Sequence, residues 1–199
     1  MNVPNKITLC RIALSIILMI LMIFPVEKVG IVFPEISIEG KFIMDSKYLI
    51  CGVIFMIASL TDFIDGYLAR KYNLVTDMGK VMDAIADKIL VNGVLIIFAV
   101  IGWISVIVPL IIVCRDIAVD SIKMVAGSKN GAVAASKTGK LKTAFMMSGL
   151  TILFFYNLPF SLFGINKVAE VLIMIACILS VISGVEYYNK NKKYIINSK

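Results

Sequence analysis

The sequence predicts an all-α integral membrane protein, a single domain over residues 1–199 with six transmembrane helices and both termini cytoplasmic. Three observations carry that prediction. Hydrophobic residues make up 60% of the chain and the mean hydropathy is +0.95, whereas a soluble domain is nearer about 45–50% apolar. The apolar residues fall in runs close to the roughly 20 needed to cross a bilayer. Lys and Arg collect in alternate connections between those runs, as the positive-inside rule requires of a multi-pass chain.

The first run, Ile7 to Phe24, ends near Pro25. No small-x-small site follows it, so it reads as a span and not as a cleaved leader. Residues 25–47 form a mixed, nearly neutral loop with Pro25, Gly30, Pro34 and Gly40. The second span covers about Lys47 to Arg70, and a polar link, Lys71 to Met78, leads to a third helix from about Gly79. No charge occurs from Ile89 to Cys114. That length exceeds one span and predicts two helices with a tight turn near Gly102–Ser105. The fourth helix is expected to end near Val125 to Gly127, before the basic segment Ser128 to Lys142. The fifth begins near Ser136 and spans Thr143 to Tyr156, the sixth spans Val168 to Tyr187, and a lysine tail closes the chain.

This count places Lys6, Arg11, Arg70, Lys71, Lys80, Lys129, Lys137, Lys140, Lys142 and the tail lysines on one side. The other side receives Lys28, Lys41, Lys47 and Lys167, with as many acids in its first loop. The basic side is therefore the cytoplasmic one. The net charge of +7 fits anionic lipid head groups or an anionic substrate. No nucleic-acid partner is expected, because the cations lie in short loops between spans. Cys10, Cys51, Cys114 and Cys177 each lie inside an apolar segment and read as reduced core residues. The chain has no histidine, so acid–base or metal chemistry falls to carboxylates, lysines and hydroxyls.

The stretch Thr61 to Lys88 carries the chemistry. Carboxylates beside hydrocarbon are costly and usually serve a function, and here Asp62, Asp65, Asp83 and Asp87 recur at regular spacing. At about 100° per residue, Asp65 lies about 60° from Asp62, with Gly66 about 40° and Ala69 about 20° away. Asp83 and Asp87 are about 40° apart on the next helix, and Gly79 precedes Asp83 by one turn. Small residues on a carboxylate face let a ligand approach the backbone. Two antiparallel helices joined by a short link can bring these faces together. Four converging carboxylates need neutralising, and hard divalent cations take oxygen ligands. Two such ions are a known arrangement for displacement at phosphorus. A carboxylate left free could accept a proton from an attacking hydroxyl. The plainer reading is a solvated face on which the acids pair with Arg70, Lys71, Lys80 and Lys88. Four acids with glycines on the same faces weigh against it. A divalent-cation transporter would instead carry acids near mid-membrane on several spans.

The pattern Asp62-x-x-Asp65-Gly66-x-x-Ala69-Arg70, eight residues, Gly79-x-x-x-Asp83-x-x-x-Asp87 resembles the signature of the CDP-alcohol phosphatidyltransferases. More of the chain resembles one branch, the bacterial phosphatidylglycerophosphate synthases: residues 2–11 (Asn2, Pro4, Asn5, Thr8 and Arg11), 115–119 and 134–143. The resemblance spans roughly residues 2–145 and fades over the last two spans. Asp116 stands where the branch more often has Glu, and Ala84-Ile85 where it often has Pro-Leu.

The resemblance implies transfer of a phosphatidyl group from CDP-diacylglycerol to an alcohol, with release of CMP. It implies that Asp62, Asp65, Asp83 and Asp87 hold two divalent cations, Mg²⁺ or Mn²⁺, and that Asp87 is the catalytic base. Asp62, Gly66, Ala69, Arg70, Gly79 and Asp83 would line the CDP site, and the always-charged planar guanidinium of Arg70 suits a pyrophosphate. The branch's acceptor is sn-glycerol 3-phosphate. Arg115, Lys137 and Lys140, with Arg11, are the candidates for its phosphate; the plainer reading of Arg115 is an ion pair, for which Asp120 is the candidate partner, since adjacent Asp116 points elsewhere on the helix. Asn5 and Thr8 are secondary candidates for the metal or phosphate region. Other acceptors, namely inositol phosphate, serine or phosphatidylglycerol, would use the same chemistry. The family further implies a homodimer in the cell membrane, with membrane lipids around it.

Overall fold

The computed structural model describes residues 3–25, 28, 30, 32–38, 42–72, 76–130 and 136–196, with side chains for all of these except 3, 4, 38, 42, 63, 65, 68–70, 128–130 and 193–196. Six helices follow in order: α1 Val3–Ile23, α2 Ser46–Lys71, α3 Asp77–Val100, α4 Ile107–Asn130, α5 Lys137–Phe154 and α6 Val168–Ile196. A short 3-10 turn, Phe160–Phe163, precedes α6.

Local chemistry explains the helix ends. Thr76 caps α3 by accepting from Gly79 N–H at 3.0 Å, and Ser136 caps α5 by accepting from Gly139 N–H at 3.0 Å, which satisfies donors that a helix start leaves open. The uncharged run divides as expected. α3 stops at Val100, Gly102 turns the chain with φ +81°, and α4 starts at Ile107. At the far end of α5, Asn157 adopts φ 61°, a conformation that Asn tolerates better than most residues. Its Oδ1 accepts from Ala169 N–H at 2.7 Å and so docks the start of α6.

The loop between α1 and α2 departs from expectation. It holds an antiparallel hairpin, β1 Glu35–Ile38 and β2 Phe42–Asp45, with Glu35 opposite Asp45 and Ile38 opposite Phe42. Met44 is buried, and Asp45 N–H donates to Tyr156 Oη at 3.0 Å, which anchors the hairpin to the end of α5. α4 and α6 also run beyond the expected ends, to Asn130 and Ile196.

α1 shows how the interior is graded. Its buried positions are Asn5, Thr8, Arg11, Ser15, Leu18 and Met22, a stripe at helical spacing that is polar at one end and apolar at the other. The apolar end meets Phe55, Leu90, Phe98, Leu150 and Phe154 in one core. Phe154 packs on Phe55 and Phe98, with ring centroids 5.4 and 4.7 Å apart, and Phe98 stacks on Trp103 at 5.2 Å.

The exterior is apolar as well. Ile16, Ile20, Leu110, Ile117, Ile178 and Val185 are all exposed. α1 and α6 are each long and apolar enough to cross a membrane, and only 28% and 33% of their most apolar windows are buried inside the protein. Their remaining apolar surface needs a non-aqueous surrounding, which a bilayer supplies.

α5 and α6 lie close because Gly149 has no side chain. A Cβ there would stand 2.8 Å from Ile173 Cγ1 and 3.2 Å from the Ala169 carbonyl oxygen. Gly149→Val is expected to lower stability by about 1–3 kcal/mol, the usual range for overpacking. Thermal unfolding in detergent measures this, and an unchanged midpoint would contradict the close packing.

Candidate active site

The polar end of the α1 stripe meets the aspartates. The Arg11 guanidinium is 1% exposed and forms ion pairs with Asp62 Oδ1 of α2 and Asp83 Oδ1 of α3. The two acids stay wet at 38% and 51% exposure. Asp62 of α2 and Asp83 of α3 are therefore brought together by an arginine from a third helix. Among the described residues, neither acid pairs with Lys71, Lys80 or Lys88. Lys80 pairs instead with Asp77, and Lys88 with Asp120.

Asn5 is buried three residues before Thr8 and six before Arg11 in the stripe of α1. It donates to Thr76 Oγ1 at 3.3 Å. A Cβ on Gly79 would lie 2.6 Å from Asn5 Oδ1. Glycine at 79 thus makes room for the Asn5 amide beside the start of α3. Thr8 is buried as well. Gly66 lies half-buried on α2 with Asp62. Asp65, Ala69 and Arg70 belong to α2 by their backbone, but their side chains lie outside the described residues.

The donor chemistry here fits a hard divalent cation. The groups are carboxylate oxygens without histidine or cysteine, and Asp62 and Asp83 converge on one positive charge. Among the described residues, no three acidic or thiol groups come together as an ion site.

A second polar region lies where α3, α4, α5 and α6 meet. Its cavity of about 220 Å³ is bordered by five cations, Lys88, Arg115, Lys123, Lys140 and Lys142, against three carboxylates, Asp87, Asp116 and Asp120. The excess of positive charge suits an anion. Arg115 donates from Nη1 to Asp116 Oδ1 at 2.9 Å, from Nε to the Ser180 carbonyl at 2.9 Å and from Nη2 to Ser183 Oγ at 2.7 Å. This corrects the expected partner. Asp116, not Asp120, meets Arg115, because Lys142 of α5 binds the same Asp116 oxygen at 2.8 Å while Lys88 takes Asp120.

Of the expected acceptor cations, Arg115 and Lys140 border this cavity. Lys137 is exposed on the first turn of α5, and Arg11 sits with Asp62 and Asp83. Lys142 is the residue that sequence reasoning passed over. It is buried while Lys140 is exposed, and the two lie about 200° apart around the helix, the signal that separates a buried lysine from an exposed one in a basic stretch.

Asp87 joins the two regions. It stands just ahead of the uncharged run that begins at Ile89 and borders the cavity with Lys142 and Asp116. Burial pushes its carboxyl above the ordinary range, opposed chiefly by Arg11 and also by Lys142, while Asp83 and Asp116 add to the rise.

The family model for the CDP-alcohol phosphatidyltransferases matches residues 1–182. The chain is 38% identical over 190 residues to the CDP-diacylglycerol–glycerol-3-phosphate 3-phosphatidyltransferase of Bacillus subtilis (strain 168), covering 96% of this chain and 95% of the relative. It is 34% identical over 193 residues to the protein of the same name from Rickettsia bellii (strain RML369-C), covering 97% of each chain. A plant relative of that name, number 2 of Arabidopsis thaliana, is 38% identical over 114 residues, about half of each chain. The chain belongs to the CDP-alcohol phosphatidyltransferase family.

Arg11→Ala leaves Asp62 and Asp83 facing each other without their cation. A fully buried pair loses about 3–5 kcal/mol when one partner is removed. The partial exposure of both acids reduces the expected loss to about 1–3 kcal/mol. Thermal unfolding of the variant without divalent ions reads the effect, and wild-type stability would show that the guanidinium does not hold the helices.

Proposed function

We propose that the chain, acting as one membrane domain, transfers the phosphatidyl group of CDP-diacylglycerol to sn-glycerol 3-phosphate, giving phosphatidylglycerophosphate and CMP. The observation that carries this reading is the cavity with excess positive charge opening beside Asp87. It offers a place for a phosphate-bearing acceptor next to a carboxylate that can take its proton. The bacterial relatives, both named for transfer to glycerol 3-phosphate, support the choice of acceptor.

In this reading Arg115, Lys140 and Lys142 hold the acceptor phosphate, with Lys137 adding charge at the entrance. Asp87 takes the proton of the acceptor's primary hydroxyl. The hydroxyl oxygen forms a bond to the lipid-side phosphorus, and the bond from that phosphorus to the CMP oxygen breaks. Asp62, Gly66, Ala69, Arg70, Gly79 and Asp83 line the nucleotide side, with Asn5 beside Gly79 and Thr8 a secondary candidate for the same region. Asp62, Asp65, Asp83 and Asp87 would hold divalent cations, Mg²⁺ or Mn²⁺. When bound, such ions offset negative charge on the pyrophosphate and its leaving oxygen. Arg11 keeps Asp62 and Asp83 aimed at the same point.

One substrate is a lipid and the other is water-soluble, so the site belongs at a membrane boundary. We place it on the cytoplasmic side of a six-span domain with both termini cytoplasmic. The distribution of Lys and Arg supports this side, and the six helices in succession support the count. The family resemblance further points to a homodimer embedded in membrane lipid.

Purified protein with CDP-diacylglycerol, Mg²⁺ and a panel of acceptors is expected to release CMP with sn-glycerol 3-phosphate. The other arms are inositol phosphate, serine and phosphatidylglycerol. Release with only one of those would replace the acceptor, and release with none would remove the transfer reaction. Removal of divalent ions by a chelator is expected to stop turnover. Asp87→Asn is expected to lower turnover by about 10²–10⁴-fold while CDP binding persists, and wild-type turnover in that variant would exclude Asp87 as the base.

A further inference from the structure

α6 lies outside the aspartate pattern, yet it anchors Arg115 of the acceptor cavity. Arg115 has five N–H donors. Three are committed, to Asp116 on its own helix and to the Ser180 carbonyl and Ser183 Oγ of α6. Ser183 is 0% exposed. Its neighbour Gly184 leaves space for the arginine stem, since a Cβ there would lie 3.2 Å from Arg115 Cγ.

Ser183 also faces the start of α5. Its Oγ lies 3.1 Å from Ser136 Oγ, which lies 3.0 Å from Thr138 Oγ1, which donates to Glu186 Oε2 at 2.7 Å. Proton accounting sets the direction of this chain, because each hydroxyl has one proton. Thr138 gives its proton to Glu186, so it accepts from Ser136. Ser136 has then used its proton and accepts from Ser183, as well as from Gly139 N–H at 3.0 Å. Ser183 in turn accepts from Arg115. The result is one directed path from a guanidinium on α4, through α6 and the cap of α5, to a carboxylate back on α6.

We propose that Ser183 is a positioning residue for acceptor binding, holding Arg115 and the Lys140-bearing first turns of α5 in one fixed relation across the cavity. Without the hydroxyl, Arg115 loses one of its three anchors and the α5 cap loses its donor. The anion site loosens, while the carboxylate region on α2 and α3 keeps its own support from Arg11. This inference rests on the acceptor reading above, and it assigns to α6 a specificity role that the motif on α2 and α3 does not contain.

The test uses full-length protein in lipid–detergent mixed micelles, with CMP release measured while each substrate is varied. Ser183→Ala is expected to raise KM for sn-glycerol 3-phosphate about tenfold, the scale of one hydrogen bond to a charged group. KM for CDP-diacylglycerol should change less than about twofold if only one region is disturbed. Thr138→Val, which removes the next hydroxyl but keeps the side-chain shape, is expected to shift the same KM in the same direction. Thr138→Ser, which restores the hydroxyl, should return it toward wild type. This pair also decides the matter if Ser183→Ala fails to fold. An unchanged acceptor KM in these variants, or an equal rise for both substrates, overturns the positioning role while leaving the transfer reaction intact. Absence of turnover with sn-glycerol 3-phosphate in the wild type overturns the acceptor reading itself, and the inference with it.

Discussion

Like charges cannot be gathered on two neighbouring helices unless something positive stands between them. Arg11 meets that requirement here. Its guanidinium is almost wholly removed from water and is shared by Asp62 and Asp83. Burying an arginine is costly unless its charge is paired, so the arginine needs the acids as much as they need it. This mutual demand ties α1, α2 and α3 at one end, and the apolar core around Phe98 and Phe154 joins the helices further along.

The same principle operates with the signs reversed in the neighbouring cavity. There a single acid, Asp116, is shared by Arg115 and Lys142. One carboxylate between two cations leaves positive charge available to a ligand, whereas one cation between two carboxylates leaves negative charge available to a metal. Asp87 lies in the field of both clusters, Arg11 and Asp83 from one and Lys142 and Asp116 from the other. A group in that position is placed to exchange a proton with a molecule held by the cations while facing the carboxylate cluster.

The two clusters are held by different means. Arg11 is fixed by ion pairs to wet carboxylates, so its support responds to charge and to salt. Arg115 is fixed by a carbonyl and a buried hydroxyl as well as by an acid, and that support depends on how closely α6 packs against α4 and α5. Gly149 and Gly184 permit that close packing. Under the proposed function, this separation would leave metal and nucleotide chemistry to one half of the site and acceptor choice to the other.

Much of this was legible in the chain. The helix number, the division of the uncharged run at Gly102 and the capped start of α5 at Ser136 follow from apolar periodicity and local turn chemistry, which are properties of neighbouring residues. The aspartate pattern and its family were legible for the same reason, since all of its spacings are local. The hairpin at Glu35–Asp45 was not, because its strands are four residues each and are held by Tyr156, over a hundred residues away. Partner choice was not legible either. Arg11 with Asp62 and Asp83, Asp116 with Lys142, and Ser183 with Arg115 all join residues distant in sequence. The sequence by itself determined which charges the protein must accommodate and on which helices. Only the tertiary structure decided which charges neutralise one another, because that depends on the few ångströms separating helices that packing, and not the order of residues, sets.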